Sequence, residues 1–416
     1  MKIFKKIATV AAISAAMLTA PYAFSADDVK IGLTFPLSGN SGNAGKSAVA
    51  AIEIAAEIIN KPHPGFESLP LGAGAGLPGL GGAKIKLVIA DHQGSPSEGQ
   101  AQTLRLITQE KVAGMVGTYQ SAVALTATAI AERYGVPFVI GDGVAANITE
   151  RGFKWTFRTT PIASDFANAY MEFLGDLKKA GHPAEKIAIV FENTDYGVSV
   201  SATIRDIAKQ RGLNVVADIA YSANGADVSA QVLQLKEKKP DAIIFISYTS
   251  DAILYMKTLK SLDYRPKLII GDNSGFSDPA FIKAVGELAE GAINRSAWNI
   301  GPKDSVTWRI NEMYKAKTGQ DLDDTSGRDM QAFFVLAEAI NRAGSTKPEA
   351  IQAALKATDL KANQLMMGYN GVKFDAKGQN ILASAYLIQL TNSNYVSIWP
   401  ANAAQKPLVY PFTGWK

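Results

Sequence analysis

From Asp27 onward, short apolar runs alternate with amphipathic stretches, and the hydrophobic period switches between the two. Val29 to Phe35 (VKIGLTF) is apolar nearly throughout, which predicts a strand buried on both faces. After the turn Pro36-Leu37-Ser38-Gly39, apolar residues recur at Val49, Ile52, Ile54, Ala55 and Ile58, the spacing of one helix face. Further strands are predicted at Ile85 to Ala90, Ala113 to Val116 and Pro137 to Ile140, with helices over Glu98 to Gln109 and Ala122 to Tyr134. A second series follows Thr160. Its predicted helices run from about Ser164 to Ala180, up to Gly212, over Val228 to Lys238 and over Ser250 to Leu262. The strands between and after them are Lys186 to Phe191, Asn214 to Ala220, Asp241 to Ser247 and Lys267 to Gly271. Alternation of this kind favours parallel sheets covered by helices, and two such series predict an α/β protein of two doubly wound lobes.

The remainder, from about Gly291, holds helices near Ser305 to Thr318, Met330 to Arg342 and Pro348 to Ala357, then strands at Ala385 to Leu390 and Tyr395 to Ile398. It is too short for a third lobe and is expected to return to the first two. One stretch breaks the rhythm. Asn60 to Ala83 carries Pro62, Pro64, Pro70 and Pro78 with seven glycines and no helix or strand period, and is read as a mobile surface insertion. Gly74 to Gly79 matches the spacing of a dinucleotide-binding loop, but that loop needs a strand before it and a helix after it. Here the order is reversed and Pro78 interrupts, so nucleotide binding is rejected.

The chain has 416 residues, of which 47% are hydrophobic and 19% charged, with a formal net charge of +4 and no cysteine. Absent cysteine excludes disulfides, thiolate metal sites, thiol nucleophiles and a lipid anchor on cysteine. The positive balance hints at nucleic acid or an anionic membrane until its source is located. Lys2, Lys5 and Lys6 supply three of the four net charges, and they precede the apolar run Ile7 to Pro21 and the small residues of Ala23-Phe24-Ser25-Ala26. That order is a secretory signal, expected to be cleaved near residue 26. The apolar run is shorter than the roughly 20 residues that span a bilayer. What remains is nearly neutral, so no nucleic-acid partner is expected, and an exported protein without lipid is placed in the periplasm.

No catalytic motif emerges. His63, His92 and His182 lie far apart and are read as loop or surface residues; there is no H-E-x-x-H, no P-loop and no G-x-S-x-G elbow. Asp323-Asp324 is read as solvated charge in a loop. No metal or other cofactor is expected. The informative places are the carboxyl ends of the strands, where open α/β sheets collect ligands. After Val116 comes Gly117-Thr118-Tyr119-Gln120-Ser121. Ser121 stands where it could cap the next helix or, with the free amides there, receive a carboxylate, and both readings stand. The strand ending at Ile140 delivers Gly141-Asp142-Gly143-Val144, the one ending at Phe191 delivers Tyr196, and the last two deliver Tyr248 and Asp272-Asn273. Acids can hold an ammonium group and tyrosines offer apolar surface with a hydroxyl, although Asp and Asn after strands are also ordinary turn residues.

With these residues in place, the sequence resembles the leucine/isoleucine/valine-binding protein family, the type I periplasmic solute-binding proteins of ABC transporters. The resemblance rests on Val29-Lys30-Ile31-Gly32-Leu33 with Pro36-Leu37-Ser38-Gly39, on Val116-Gly117 followed by Ser121, on Phe191 through Tyr196-Gly197, and on Phe374-Asp375-Ala376-Lys377-Gly378. Their order and spacing span essentially the whole chain after the signal. The resemblance implies two lobes joined by three crossing strands and closing like a hinged trap, with residues 27–160 and about 294–378 in the first lobe, and 161–293 and about 379–416 in the second. It implies no catalysis, a monomer, a small amino acid or related carboxylate as cargo, and membrane permease subunits as partners.

Carried over by position, Ser121 matches the receptor of the ligand carboxylate, with Tyr119 beside it. Asp142, Gly143 and Val144 fall where the family offers a backbone carbonyl and a threonine hydroxyl. Tyr196 and Tyr248 match aromatic positions of the second lobe, and Asp272 or Asn273 falls where an acid pairs with the ligand ammonium. Val144 lacks the usual hydroxyl, and Ala44 replaces a bulky aromatic of some members, which is expected to leave a roomier pocket. These departures keep open the same fold holding an aromatic carboxylate, an amide or a urea-like compound. A sensory receptor is the remaining alternative.

Overall fold

The computed structural model describes residues 27–415, so the expected export signal at 1–26 lies outside the described residues. The first series runs β1 (Val29–Phe35), α1 (Gly42–Asn60), β2 (Ile85–Asp91), α2 (Pro96–Thr108), β3 (Gly114–Gly117), α3 (Ser121–Tyr134), β4 (Phe138–Ile140) and β5 (Thr156–Arg158). The second runs α4 (Ala163–Lys179), β6 (Lys186–Glu192), α5 (Asp195–Gln210), β7 (Asn214–Tyr221), α6 (Ser229–Lys238), β8 (Ala242–Ile246), α7 (Thr249–Ser261), β9 (Ile269–Gly271), α8 (Ser274–Ser277), α9 (Pro279–Val285) and β10 (Ile293–Ser296). The chain closes with α10 (Val306–Thr318), α11 (Asp324–Ala343), α12 (Pro348–Lys356), β11 (Asp359–Lys361), β12 (Gly371–Lys373), β13 (Tyr386–Thr391) and β14 (Asn394–Trp399).

The strands form two large sheets. The first is wholly parallel in the order β2-β1-β3-β4-β5. The second, β14-β13-β10-β9-β8-β6-β7, is parallel except for β13 and β14, which add an antiparallel edge. Apolar runs without polar alternation suit such sheets because helices cover both faces. In β8, Ile243 and Phe245 point to one core while Ile244 and Ile246 point to the other, all fully buried. Helix α11 packs its apolar face on α1 and on β3 and β4 of the first sheet, so the late segment does return to the earlier lobes. The chain passes between the sheets three times, after β5, after β10 and between β12 and β13.

Strand order reverses at two points, between β1 and β3 in the first sheet and between β6 and β8 in the second. Each reversal leaves a crevice at the carboxyl ends of the strands, because neighbouring connections leave in opposite directions. Those crevices hold the loops that carry Tyr119 and Ser121 on one side and Tyr196 and Tyr248 on the other.

Asn60 to Ala83 has no long helix or strand, yet it packs against the first lobe. Phe66, Leu69, Leu77 and Ala83 are buried in the core of the first lobe. A short 3₁₀ turn at Pro78–Leu80 places the Gly79 N–H 2.8 Å from the Asn341 side chain of α11. A Cβ at Gly79 would lie 2.0 Å from the Asn341 carbonyl oxygen, so glycine is what permits the approach. The segment folds through turns and close backbone approach, which have no hydrophobic period to read.

A second difference concerns α11. It begins at Asp324, six residues ahead of the predicted start, because the Asp323 carboxylate caps it by accepting from the Ser326 N–H at 2.9 Å. Asp324 is therefore buried and Asp323 half-buried at a helix start, and the reading of solvated loop charge is overturned. His92 lies in a loop, as expected of the histidines, but is fully buried there.

Candidate binding site between the lobes

The first lobe contributes the loop after β3. Tyr119 sits there at φ +83°, a left-handed backbone that costs a non-glycine residue free energy and persists only where neighbours enforce it. His92 is one of those neighbours. Its Nδ1 accepts from the Gly94 N–H at 3.1 Å, so Nε2 carries the proton and donates to the Thr118 carbonyl at 2.8 Å. Burial lowers the His92 pKa and keeps the ring neutral. Ser121 is the first residue of α3, and Gln120 holds the capping position without a side-chain bond. The Ser121 hydroxyl instead accepts from the Ala145 N–H at 3.3 Å, which leaves its own proton free to donate. The capping reading thus falls away.

The second lobe brings aromatic rings. Tyr196 lies in the first turn of α5, which is tied down by the Glu192 carboxylate accepting from the Gly197 N–H at 2.6 Å and the Thr194 hydroxyl at 2.8 Å. Only glycine fits at 197, since a Cβ would lie 1.9 Å from the Glu192 carbonyl. Tyr248 precedes α7, and its ring centroid stands 5.4 Å from Tyr196 and 5.7 Å from Tyr119. The three tyrosines form a stack that crosses from one lobe to the other, at spacings where aromatic rings attract. Burial raises all three hydroxyls well above their ordinary range, so they are neutral donors and acceptors.

Below the rings lies a layer of buried charge. Asp272 is held by Arg295, whose Nε is 2.9 Å from Oδ1, and by the hydroxyls of Tyr170 and Tyr196. The Arg295 guanidinium stacks 3.5 Å over the Phe166 ring. Asp142 pairs with Arg328, which also forms an ion pair with Asp324 at 2.9 Å and donates to the Asn273 side chain at 2.6 Å. Asn273, at φ +55°, donates in turn to Asp324 at 2.7 Å and accepts from the Thr325 hydroxyl at 2.8 Å. Through Asn273 the second lobe is bonded to the start of α11. Burial pushes the Asp142 carboxyl up, to about 6, against the pull of Arg328. Its neighbour Asp329, buried with no hydrogen-bond partner, is raised well above the usual range for the same reason.

The residues singled out in the sequence therefore converge, but in two roles. Tyr119, Tyr196 and Tyr248 meet at the junction of the lobes, and Ser121 follows Tyr119 by two residues as the first residue of α3. Asp142, Asp272 and Asn273 are engaged by arginine in the layer beneath, which leaves neither aspartate as a free acid. The Gly143 carbonyl accepts from Arg158 at 3.2 Å and the Val144 carbonyl from the Ala163 N–H at 3.3 Å. The sequence reading missed Arg295, Arg328, Asp324 and Tyr170. Asp324 and Arg328 stand four apart on a helix, a visible signal once the helix start is known. Arg295 has none, because its partner comes from another strand. The space beside Ala44 is a gap of about 10 Å³ among Ser47, Tyr119, Ser274, Asp278, Asp323 and Thr325. Among the described residues no group of three or more acidic or histidine side chains is placed to hold a metal ion, and none of the described helices is long and apolar enough to cross a membrane.

Two doubly wound lobes whose switch-point crevices face each other define a hinged solute-binding protein. Comparison with known proteins gives the family: the periplasmic binding protein model matches residues 28–394, and the chain belongs to that family. The Leu/Ile/Val-binding protein homolog 7 of Brucella suis is 32% identical over 412 residues, 96% of this chain and 98% of the relative. Among solved structures, the branched-chain amino acid transporter substrate binding protein LivJ of Streptococcus pneumoniae, in complex with isoleucine, has a TM-score of 0.76 at 22% identity, covering 92% of this chain and all of the other. A solute binding protein of an ABC transporter from R. palustris, in complex with benzoate, has a TM-score of 0.75 at 19% identity, covering 92% and 97%. At these identities the two structures establish the likeness of fold.

Proposed function

We propose that this protein is the periplasmic solute-capturing component of an ABC importer, which encloses a small amino acid or related carboxylate between its lobes and presents the closed form to membrane permease subunits. The observation that carries the reading is the tyrosine stack of Tyr119, Tyr196 and Tyr248 across the lobe junction, set against Ser121 at the start of α3. The Ser121 hydroxyl and the unpaired amides of the first helical turn suit a carboxylate. Tyrosine faces suit the apolar part of the ligand. A ligand touching both lobes stabilises only the closed arrangement, and that differential affinity is what drives closure. The family consists of solute-binding proteins, and we read this member likewise as a monomer that makes and breaks no bond and carries no cofactor.

A thermal-shift screen tests the proposal, since ligand raises the melting temperature by mass action. Amino acids and small carboxylates, aromatic ones included, should raise it, and Ser121→Ala should reduce the shift at equal ligand concentration. A screen in which no carboxylate shifts the transition while a sugar or a metal ion does would overturn it.

A further inference from the structure

Asp278 and Asp323 face the same small gap from opposite lobes, together with Ala44, Ser47, Tyr119, Ser274 and Thr325. Both are helix caps. Asp278 accepts from the Ala280 N–H at 2.8 Å and the Thr249 hydroxyl at 2.8 Å, and Asp323 from the Ser326 N–H at 2.9 Å and hydroxyl at 2.7 Å. Every one of these donors is neutral. Neither carboxylate forms an ion pair among the described residues, whereas Asp142, Asp272 and Asp324 nearby all have an arginine. A further group points to a missing partner. Tyr119 lines the gap with 4% of its surface exposed, and its hydroxyl has no hydrogen-bond partner. Past Pro279 and Asp323, which border both spaces, lies a cavity of about 650 Å³ with Ile282, Trp298 and Leu322 on its walls.

We propose that the ligand carries a second, positively charged group and that Asp278 and Asp323 clasp it between the lobes, with the Tyr119 hydroxyl as a further acceptor. This inference rests on the reading of the protein as an amino acid or carboxylate receptor and narrows the cargo to bipolar amines. The carboxylate lies at Ser121 and the cationic arm runs toward the gap beside Ala44. Bringing two unneutralised carboxylates together costs free energy in a buried setting, and a cation placed between them reverses the sign. Burial pushes Asp323 up to about 7 and also raises Asp278, as expected of acids whose counter-charge is not supplied by the protein. Closure would then favour cationic cargo.

Lysine and norleucine separate this idea from its alternatives, because they share a carbon chain and differ in the terminal amine. Calorimetry should find lysine bound about ten- to a hundredfold tighter than norleucine. Asp278→Asn and Asp323→Asn together should erase that preference while norleucine binding stays, since asparagine also caps helices. Leucine, norleucine or benzoate binding as tightly as lysine, ornithine and arginine would overturn the inference and leave the carboxylate receptor standing. Failure of every amino acid and carboxylate would overturn both.

Discussion

Asp272 and Arg295 form a closed pair at the floor of the lobe junction, 2.9 Å apart, with side chains almost wholly excluded from solvent. The pair uses up the acid that family likeness would offer to a ligand ammonium. Breaking it from one side leaves an uncompensated buried charge, which costs far more than the pair itself contributes. Arg295→Met is therefore expected to destabilise the protein by about 3–5 kcal/mol in denaturant unfolding, and the double change with Asp272→Asn by clearly less. Equal losses in the single and double variants would show that Asp272 does not depend on Arg295.

The site assignment predicts a separation between binding and folding. Ser121→Ala removes a hydroxyl that faces the junction and should weaken binding by about 1.5–3 kcal/mol if its partner is a charged carboxylate. Tyr248→Ala should weaken it too, by removing the middle ring of the stack. Circular dichroism should be unchanged in both. Unaltered calorimetric affinity in the two variants would dismiss the assignment.

Gly197→Ala should act on the same site from a distance. Its Cβ would strike the Glu192 carbonyl, and the first turn of α5, which carries Tyr196, would have to shift. Alanine ordinarily favours a helix over glycine by about 1 kcal/mol, so here steric conflict outweighs propensity. Reduced affinity together with reduced stability is expected, and a stabilised variant would refute the close approach.

Gly79→Ala probes the segment 60–83. Loss of the Asn341 contact should release this stretch to limited proteolysis while the remainder of the chain stays resistant. Cleavage at the wild-type rate would mean that the contact does not hold the segment.

Asp251 supplies a pH test. It is 1% exposed, one oxygen accepts from the Asn224 N–H at 2.9 Å, and the other has no partner. Burial pushes its pKa from 3.8 to about 6. The folded-state value lies above the unfolded one, so the stability linked to the neutral acid is fully present below about pH 4, declines as pH rises and is gone above about pH 6. Asp251→Asn should accordingly gain on the wild type between about pH 4 and pH 7, by at most about 3 kcal/mol, read as the difference in Tm across that range. A constant difference would exclude the shift.

Much of this protein was determined by its sequence alone. Short, largely apolar runs such as VKIGLTF and AIIFI, alternating with amphipathic helical stretches, point to strands buried on both faces with helices lying across the sheet. That fixes two doubly wound lobes and puts Ser121, Tyr196 and Tyr248 at strand ends. Tertiary structure alone decided which charges meet. Asp272 and Arg295 are 23 residues apart, and Asp142 and Arg328 are 186 apart, so no local pattern announces either pair. Asp323 and Asp324 read as solvated loop charge until a helix start and a facing lobe enclose them. Periodicity records how one element meets the core, whereas the pairing of buried charges depends on how elements distant in sequence meet one another.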